Sequence, residues 1–172
     1  MKDVKIIGSG GLDEYDLADF SDAGAPYDSY GVGTKMGVSG DAPWLDIAYK
    51  LVEYGGHPVL KLSPGKISWP GKKQIFRQRN SQGQSQGDII GLRDENLLGM
   101  EPLLHKVMDR GKVVPPQPTL DDSRTTLRQE FASLPESVKA IRDPSSYPVK
   151  FTPKLSALLE QIGQEITHSN ND

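Results

Sequence analysis

Two glycine-rich segments near the amino terminus carry the residue types best suited to chemistry. Residues 8–11 read Gly-Ser-Gly-Gly, and residues 31–34 read Gly-Val-Gly-Thr. Glycines let the backbone approach a ligand closely, and consecutive backbone N–H groups before a helix attract anions. Ser9 and Thr34 each add a hydroxyl donor. The combination predicts a phosphate site. The alternative is that both segments are ordinary tight turns, because such turns are common and neither segment is a Walker motif.

The elements around these segments form a β/α repeat. Residues 4–7 predict a buried strand, residues 12–20 a short helix, and residues 29–32 a second strand. Acidic residues in the first turn of the helix suit the positive end of its dipole, and Gly24 is its expected stop. In a β/α barrel, phosphate sites favour the loops after the last two strands, and the two glycine-rich segments would be those loops.

The middle of the chain predicts antiparallel strands. Apolar residues alternate over residues 45–51, a glycine pair at 55–56 makes a hairpin turn, and residues 58–62 return as the partner strand. Further strand candidates cover residues 74–77, 88–92 and 102–108, and the polar residues 80–87 predict an exposed loop. This pattern indicates an antiparallel β region.

From Thr119 onward the pattern is helical. Thr119 and Asp122 resemble a capping box, and Pro153 suits the first position of a last helix. Apolar residues recur at helical spacing in both helices: Leu120, Leu127, Phe131 and Leu134, then Leu155, Leu158, Leu159, Ile162 and Ile166. The chain is therefore predicted as α/β, with β/α units over residues 1–40, an antiparallel β-rich region over residues 41–118 and a helical tail over residues 119–172.

Several stretches taken together resemble the nicotinate phosphoribosyltransferase family, at the end of its barrel. They are residues 8–14 (GSGGLDE), 30–37 (YGVGTKMG), 41–43 (DAP), 49–54 (YKLVEY), 58–66 (PVLKLSPGK) and 69–77 (WPGKKQIFR). The combination is far more specific than either glycine-rich segment alone. The resemblance covers the first half of the chain closely and thins beyond residue 77, although residues 101–104 and 107–108 still fit.

The resemblance implies the last β/α units of a type II phosphoribosyltransferase barrel, in an enzyme that usually works as a dimer. The family joins nicotinate to phosphoribosyl pyrophosphate, giving nicotinate mononucleotide and pyrophosphate with ATP hydrolysis. ATP and Mg are therefore the expected cofactors of the complete enzyme. The resemblance also implies which residues hold the 5′-phosphate of the phosphoribosyl group: Ser9, Gly10, Gly11, Gly33 and Thr34.

The sequence departs from the family in what it lacks. The amino-terminal domain, most barrel strands, the transiently phosphorylated histidine and the nicotinate-binding residues have no counterpart in these 172 residues. We therefore expect no catalytic residue in this chain and no activity of the chain alone. The expected partner is the missing amino-terminal half of the enzyme, or further copies of the chain. Two alternatives stay open: a non-catalytic phosphate- or nucleotide-binding module, and an assembly domain derived from the family.

Two charged groups have competing interpretations. Six cations with interspersed Trp69 and Phe76 suit a solvated hairpin face, a nucleic-acid surface, or contact with the diphosphate of a substrate in a neighbouring subunit. They are Lys61, Lys66, Lys72, Lys73, Arg77 and Arg79, of which Lys66 and Lys72 are the candidates for the diphosphate. Asp13 and Glu14 suit the helix dipole, or a metal-linked or loop-ordering role.

Composition excludes several function classes. The net charge of −3 gives no electrostatic case for nucleic-acid or membrane partners, and the absence of cysteine excludes disulfides and thiolate metal sites. The three histidines have no partners at ligand spacing, so no metal site is predicted. No apolar run approaches the roughly 20 residues that span a bilayer. A soluble cytoplasmic protein is expected.

Overall fold

A computed structural model describes residues 4–38, 40, 43, 48–63, 67–114 and 116–169 of the chain. The chain divides into two compact units. The first comprises Met1–Ala48 with Ile141–Asp143, and the second comprises Tyr49–Ala140 with Pro144–Asp172. The division assigns both glycine-rich segments to the first unit.

The first unit confirms the predicted order of strand, glycine-rich segment and helix. Its elements are β1 (Ile7–Ser9), α1 (Glu14–Asp22), β2 (Ser29–Gly31) and the short α2 (Thr34–Val38). Strands β1 and β2 pair in parallel, with Ile7 opposite Ser29 and Ser9 opposite Gly31. The parallel pairing follows from the crossover through α1, which brings the chain back in the same direction.

Helix α1 begins and ends at local signals in the sequence. The side chain of Asp13 accepts hydrogen bonds from the N–H groups of Tyr15 and Asp16, and the Asp16 carboxylate accepts one from the Asp13 N–H. This capping box pairs donors that the first turn leaves free. Gly24 follows the last turn at φ +61, the left-handed conformation expected of a helix stop.

The prediction that residues 4–7 form a buried strand is wrong in position and in burial. Strand β1 begins at Ile7, and the side chains of Val4 and Ile7 are 67% and 65% exposed. The sheet of this unit has two strands among the described residues, and it leaves Val4 and Ile7 exposed there. An apolar segment favours burial, but its sequence does not show whether another element covers it.

The second unit is built on a four-stranded sheet. Its strands and helices are β3 (Glu53–Tyr54), β4 (His57–Pro58), β5 (Lys73–Arg79), β6 (Ser85–Leu92), β7 (Glu101–Pro102), β8 (Met108–Asp109), β9 (Lys112–Val113), α3 (Leu120–Ser133), α4 (Glu136–Lys139), β10 (Val149–Phe151) and α5 (Pro153–Ser169). The sheet has the order β10-β6-β5-β7, with β10 parallel to β6 and the other neighbours antiparallel.

The core of this unit lies between the sheet and α5. Leu155 and Ile162 on α5 are buried, as is Phe76 on β5, and Trp69 stacks on Phe151 with ring centroids 3.9 Å apart. The predicted apolar stripe and the proline at the first position of this helix are confirmed. Thr152 precedes the helix, and its hydroxyl oxygen accepts from the N–H of Leu155 at 3.2 Å.

The antiparallel region is confirmed in part. The hairpin over residues 53–58 and strands β5 and β6 are present; β6 begins at Ser85, inside the predicted loop. Of the first predicted hairpin strand, residues 45–47 lie outside the described residues, and residues 48–51 are not strand. Of the strand predicted over residues 102–108, only the two ends are strand, Pro102 in β7 and Met108 in β8. Beyond β7, the Gln74 side-chain amide binds both the N–H and the carbonyl oxygen of Leu104, at 2.8 and 3.0 Å.

Helix α3 has the predicted capping box but not a buried face. The Asp122 N–H donates to the Thr119 hydroxyl, and the Thr119 N–H donates to the Asp122 carboxylate. Its apolar side chains point outward, with Leu127 68% and Phe131 55% exposed. The helical spacing of the apolar residues predicted the helix correctly, but it did not predict whether another element packs against that face.

Candidate functional site

The two glycine-rich segments leave the same edge of the sheet in the first unit. They follow β1 and β2, which are parallel, and Ser9 lies opposite Gly31 at the ends of these strands. The approach is close: a Cβ atom on Gly31 would lie 3.1 Å from the Ser9 hydroxyl oxygen. The structure therefore brings the predicted phosphate-binding residues of the two segments side by side.

Several backbone N–H groups of these segments take no part in the hydrogen bonds of the surrounding turns and loops. Among the described residues, none of those turn and loop hydrogen bonds has the N–H of Gly10, Gly11, Gly33 or Thr34 as its donor. Gly10 and Gly11 have φ values of +126 and +64, which favour glycine. A Cβ atom on Gly10, Gly11 or Gly33 would meet no described atom within 4 Å. The segments thus present a backbone that an anion can approach closely.

An ion pair connects the two segments. The ammonium group of Lys35, which follows the second segment, lies 2.7 Å from one carboxylate oxygen of Asp13 and 3.7 Å from Asp16. The hydrogen bond from Lys35, helped by the Asp16 N–H, lowers the pKa of Asp13 to about 2. In turn, the hydrogen bond to Asp13 raises the pKa of Lys35.

A cleft of about 350 Å³ borders this ion pair. It is lined by residues that come soon after the two glycine-rich segments, namely Asp13, Glu14, Tyr15, Lys35 and Gly40. Asp13 serves as the helix cap and as the partner of Lys35, while Glu14 stands in the first turn of α1. Across the part of the chain that the structure describes, no three His, Cys, Asp or Glu side chains are placed to hold a metal ion.

The lysines predicted to face a diphosphate have intramolecular contacts or lie outside the described residues. Lys72 pairs with Glu53 at 2.6 Å. Lys73 donates to the carbonyl oxygens of Trp69 and Gly71 at 2.6 and 2.7 Å, and burial lowers its pKa. Lys66 lies outside the described residues.

The two arginines of the same region form a cluster that the sequence analysis missed. Arg77 donates two hydrogen bonds to Asp88, both 2.9 Å, and pairs with Glu130 at 2.6 Å. Arg79 pairs with Glu130 at 2.8 Å and with Glu101 at 2.9 Å. The hydrogen bonds to Asp88 raise the pKa of Arg77. The sequence signal for this cluster was a pair of arginines two positions apart on one strand, with an acidic residue on the strand that forms a hairpin with it.

These contacts explain the basic stretch as part of the fold. The guanidinium groups hold α3 to strands β5, β6 and β7 through carboxylates. Phe76 is buried and Trp69 is stacked on Phe151. The nucleic-acid interpretation depended on these cations and rings being available. Both arginines and both aromatic rings are instead engaged within the chain.

None of the helices in the described parts of the chain combines the length and apolar character that crossing a membrane requires.

Comparison with known proteins gives a consistent result. The family model described as "Nicotinate phosphoribosyltransferase C-terminal domain" matches residues 96–159. A nicotinate phosphoribosyltransferase of Mycobacterium tuberculosis is 40% identical over 164 residues, covering 94% of this chain and 35% of the relative. The enzyme of that name from Mus musculus is 28% identical over 186 residues, with the same coverage. The crystal structure of human nicotinic acid phosphoribosyltransferase superimposes with a TM-score of 0.73 at 25% identity, covering 94% of this chain and 34% of that one.

The chain spans about a third of the length of the curated relatives it matches. The family model matches the part from β7 into α5, and the relatives extend the match to 94% of the chain. The chain belongs to the nicotinate phosphoribosyltransferase family and corresponds to a carboxy-terminal portion of its members.

Proposed function

We propose that this chain forms the wall of a nicotinate phosphoribosyltransferase active site that holds the 5′-phosphate of the phosphoribosyl group. One observation carries the proposal. Ser9 lies opposite Gly31, and the N–H groups of the glycine-rich segments beyond them donate to no described acceptor in the surrounding turns and loops. The names of the relatives supply the substrate class, a phosphoribosyl donor and nicotinate.

The donor set suits a phosphate monoester. The N–H groups of Gly10, Gly11, Gly33 and Thr34 and the hydroxyls of Ser9 and Thr34 are neutral donors, and a phosphate has several oxygens to receive them. Backbone N–H groups need no rotamer to be frozen when the ligand binds, which keeps the entropic cost of binding low. The missing side chains of the glycines let the phosphate approach the backbone.

Holding the phosphate contributes to the reaction by alignment. Transfer of the phosphoribosyl group to nicotinate passes through an oxocarbenium-like centre with a departing diphosphate. Fixing the remote phosphate orients the ribose toward both the nucleophile and the leaving group, and its binding energy supports that alignment. Stabilising the developing charges needs groups from other directions. We assign those catalytic groups to the remainder of the enzyme, so the chain alone is inactive.

The cofactors belong to the complete enzyme in this proposal. ATP hydrolysis coupled to turnover implies ATP and Mg, yet the described residues include no group of three acidic or histidine side chains placed for a metal ion. The described residues alone therefore supply no complete metal site. We therefore derive no step through ATP or Mg on this chain.

In the same proposal, β1 and β2 are the last strands of a type II phosphoribosyltransferase barrel. Two parallel strands with exposed apolar residues, such as Ile7 of β1, are not a stable arrangement by themselves. Further barrel strands would cover them. The partner is the amino-terminal part of the enzyme, in the same or another chain, or further copies of this chain.

Two assays test the proposal. Ribose 5-phosphate added to the chain should shift the amide NMR signals of Gly10, Gly11, Gly33 and Thr34, whereas ribose should not. Nicotinate mononucleotide formation should be absent for the chain alone and should appear when the remainder of the enzyme is supplied. A sugar phosphate that shifts only signals elsewhere would contradict the phosphate site. Binding without activity in the completed enzyme would favour the non-catalytic module.

A further inference from the structure

Lys35 joins two segments that lie far apart in the sequence. It follows the second glycine-rich segment directly, and its ammonium group lies 2.7 Å from Asp13, which follows the first segment and is 22 residues away. The pair therefore spans the gap between the two segments at the edge where they leave the sheet.

Hydrogen bonds with the first turn of α1 hold the Asp13 carboxylate in place for this contact. Its Oδ1 atom accepts from the N–H groups of Tyr15 and Asp16 at 3.1 and 3.0 Å, while its Oδ2 atom accepts from Lys35. Its own N–H donates to Asp16. A carboxylate held by its helix in this way transmits the position of the lysine to the backbone of the first segment.

General stability is a poor explanation for the pair. Lys35 is 51% exposed and Asp13 is 25% exposed, and exposed ion pairs contribute little to folding because water and salt screen them. Positioning is a better explanation. The Lys35–Asp13 pair restrains the two neighbouring segments without adding a charge to the row of backbone donors.

We propose that Lys35 is a positioning residue that sets the distance between the two glycine-rich segments, so that their N–H groups converge on one phosphate. The proposal rests on the proposed function. The ammonium group acts through Asp13 and does not contact the phosphate. A direct contact between Lys35 and the phosphate is the competing explanation, and the two differ in what removal of the Asp13 charge does.

Four variants of the full chain separate these explanations. Lys35→Met removes the cation, and Lys35→Arg preserves it. Asp13→Asn removes the anion but keeps a side chain that caps helices equally well. Lys154→Met is the matched control because Lys154 forms a comparable exposed pair with Asp94 at 3.0 Å, within the second unit.

The expected result is a dissociation constant for ribose 5-phosphate that rises about fivefold in both Lys35→Met and Asp13→Asn. Lys35→Arg and Lys154→Met should stay within about twofold of the wild type. All four should unfold close to the wild-type temperature, because exposed ion pairs contribute little to folding. The inference is overturned if Lys35→Met binds like the wild type. It is also overturned if only Lys35→Met weakens binding, since the lysine would then act on the phosphate directly.

If the wild-type chain does not bind ribose 5-phosphate, the proposed function is contradicted. The positioning role of Lys35 is then tested by a second measurement. In the ligand-free chain, amide relaxation should show greater motion at Gly10 and Gly33 in Lys35→Met than in the wild type or Lys154→Met. Unchanged motion at both glycines would overturn the inference.

Discussion

Ser9 and Gly31 are partners in a parallel ladder, and a methyl group on residue 31 would come within 3.1 Å of the Ser9 hydroxyl oxygen. Neighbouring strands lie about 4.8 Å apart, and a backbone N–H reaches an oxygen at about 2.9 Å. Two segments that leave such neighbours can therefore donate to the same phosphate from both sides. The proposed phosphate site depends on that proximity.

Gly33→Ala should preserve the fold and weaken phosphate binding. The added Cβ atom meets no described atom within 4 Å, so the free energy of unfolding should change by less than about 1 kcal/mol. A methyl group at a backbone that must approach the ligand closely should lower affinity for ribose 5-phosphate at least about tenfold, measured by calorimetry. Gly37→Ala, also in open space but within α2, is the control. Equal affinities in both variants and the wild type would argue against the cradle.

The carboxyl group of Asp13 should titrate well below its ordinary range. Its pKa is about 2 rather than 3.8, chiefly because of the hydrogen bond from Lys35. Since the folded pKa lies below the unfolded one, the contribution to stability is present above 3.8 and is lost as pH falls through about 2. NMR titration of the side chain should show that midpoint in the wild type and a higher one in Lys35→Met. An unshifted midpoint in the variant would mean that the ion pair does not form in solution.

Arg77→Met should destabilise the second unit. The variant leaves the carboxylate of Asp88, whose side chain is 12% exposed, without its bidentate partner. Removal of one member of a largely buried pair should lower the free energy of unfolding by about 2–3 kcal/mol. Arg124→Met breaks an exposed pair with Asp121 and should cost less than about 0.5 kcal/mol in the same urea titration. Similar losses in both variants would show that the cluster is not a structural centre.

Charge reversal at Lys66 and Lys72 tests the proposed contact with the diphosphate. Lys72 pairs with Glu53 at 2.6 Å, so it must exchange this carboxylate for the substrate. In the completed enzyme, the double reversal to Glu should raise KM for phosphoribosyl pyrophosphate about tenfold and leave KM for nicotinate unchanged. Lys154→Glu serves as a control for net charge. No change in KM would remove both lysines from the site.

Local signals in the sequence predicted the ends of elements well. The stop of α1 at Gly24, the capping box of Thr119 and the start of α5 at Pro153 depend on neighbouring residues only, and all three are confirmed. Burial was harder to predict. The stripe of α3 and the apolar residues before β1 are exposed, because periodicity marks a face and says nothing of what packs against it.

The residue types of the candidate site could be predicted from the sequence, but the contacts between these residues could not. The glycine-rich segments could be found in the sequence because each is continuous. The pair of Lys35 with Asp13 spans 22 residues, and that of Arg77 with Glu130 spans 53. Contacts of this kind depend on how the elements pack, so charged residues that appeared available in sequence turned out to have partners.

A crystal structure of the chain bound to ribose 5-phosphate tests the central claim most directly. The account predicts a single phosphate group within about 3.2 Å of the backbone nitrogens of Gly10, Gly11, Gly33 and Thr34, with the ribose directed away from the sheet. A phosphate bound at another surface, or these N–H groups bonded to carbonyl oxygens of the chain itself, would contradict it.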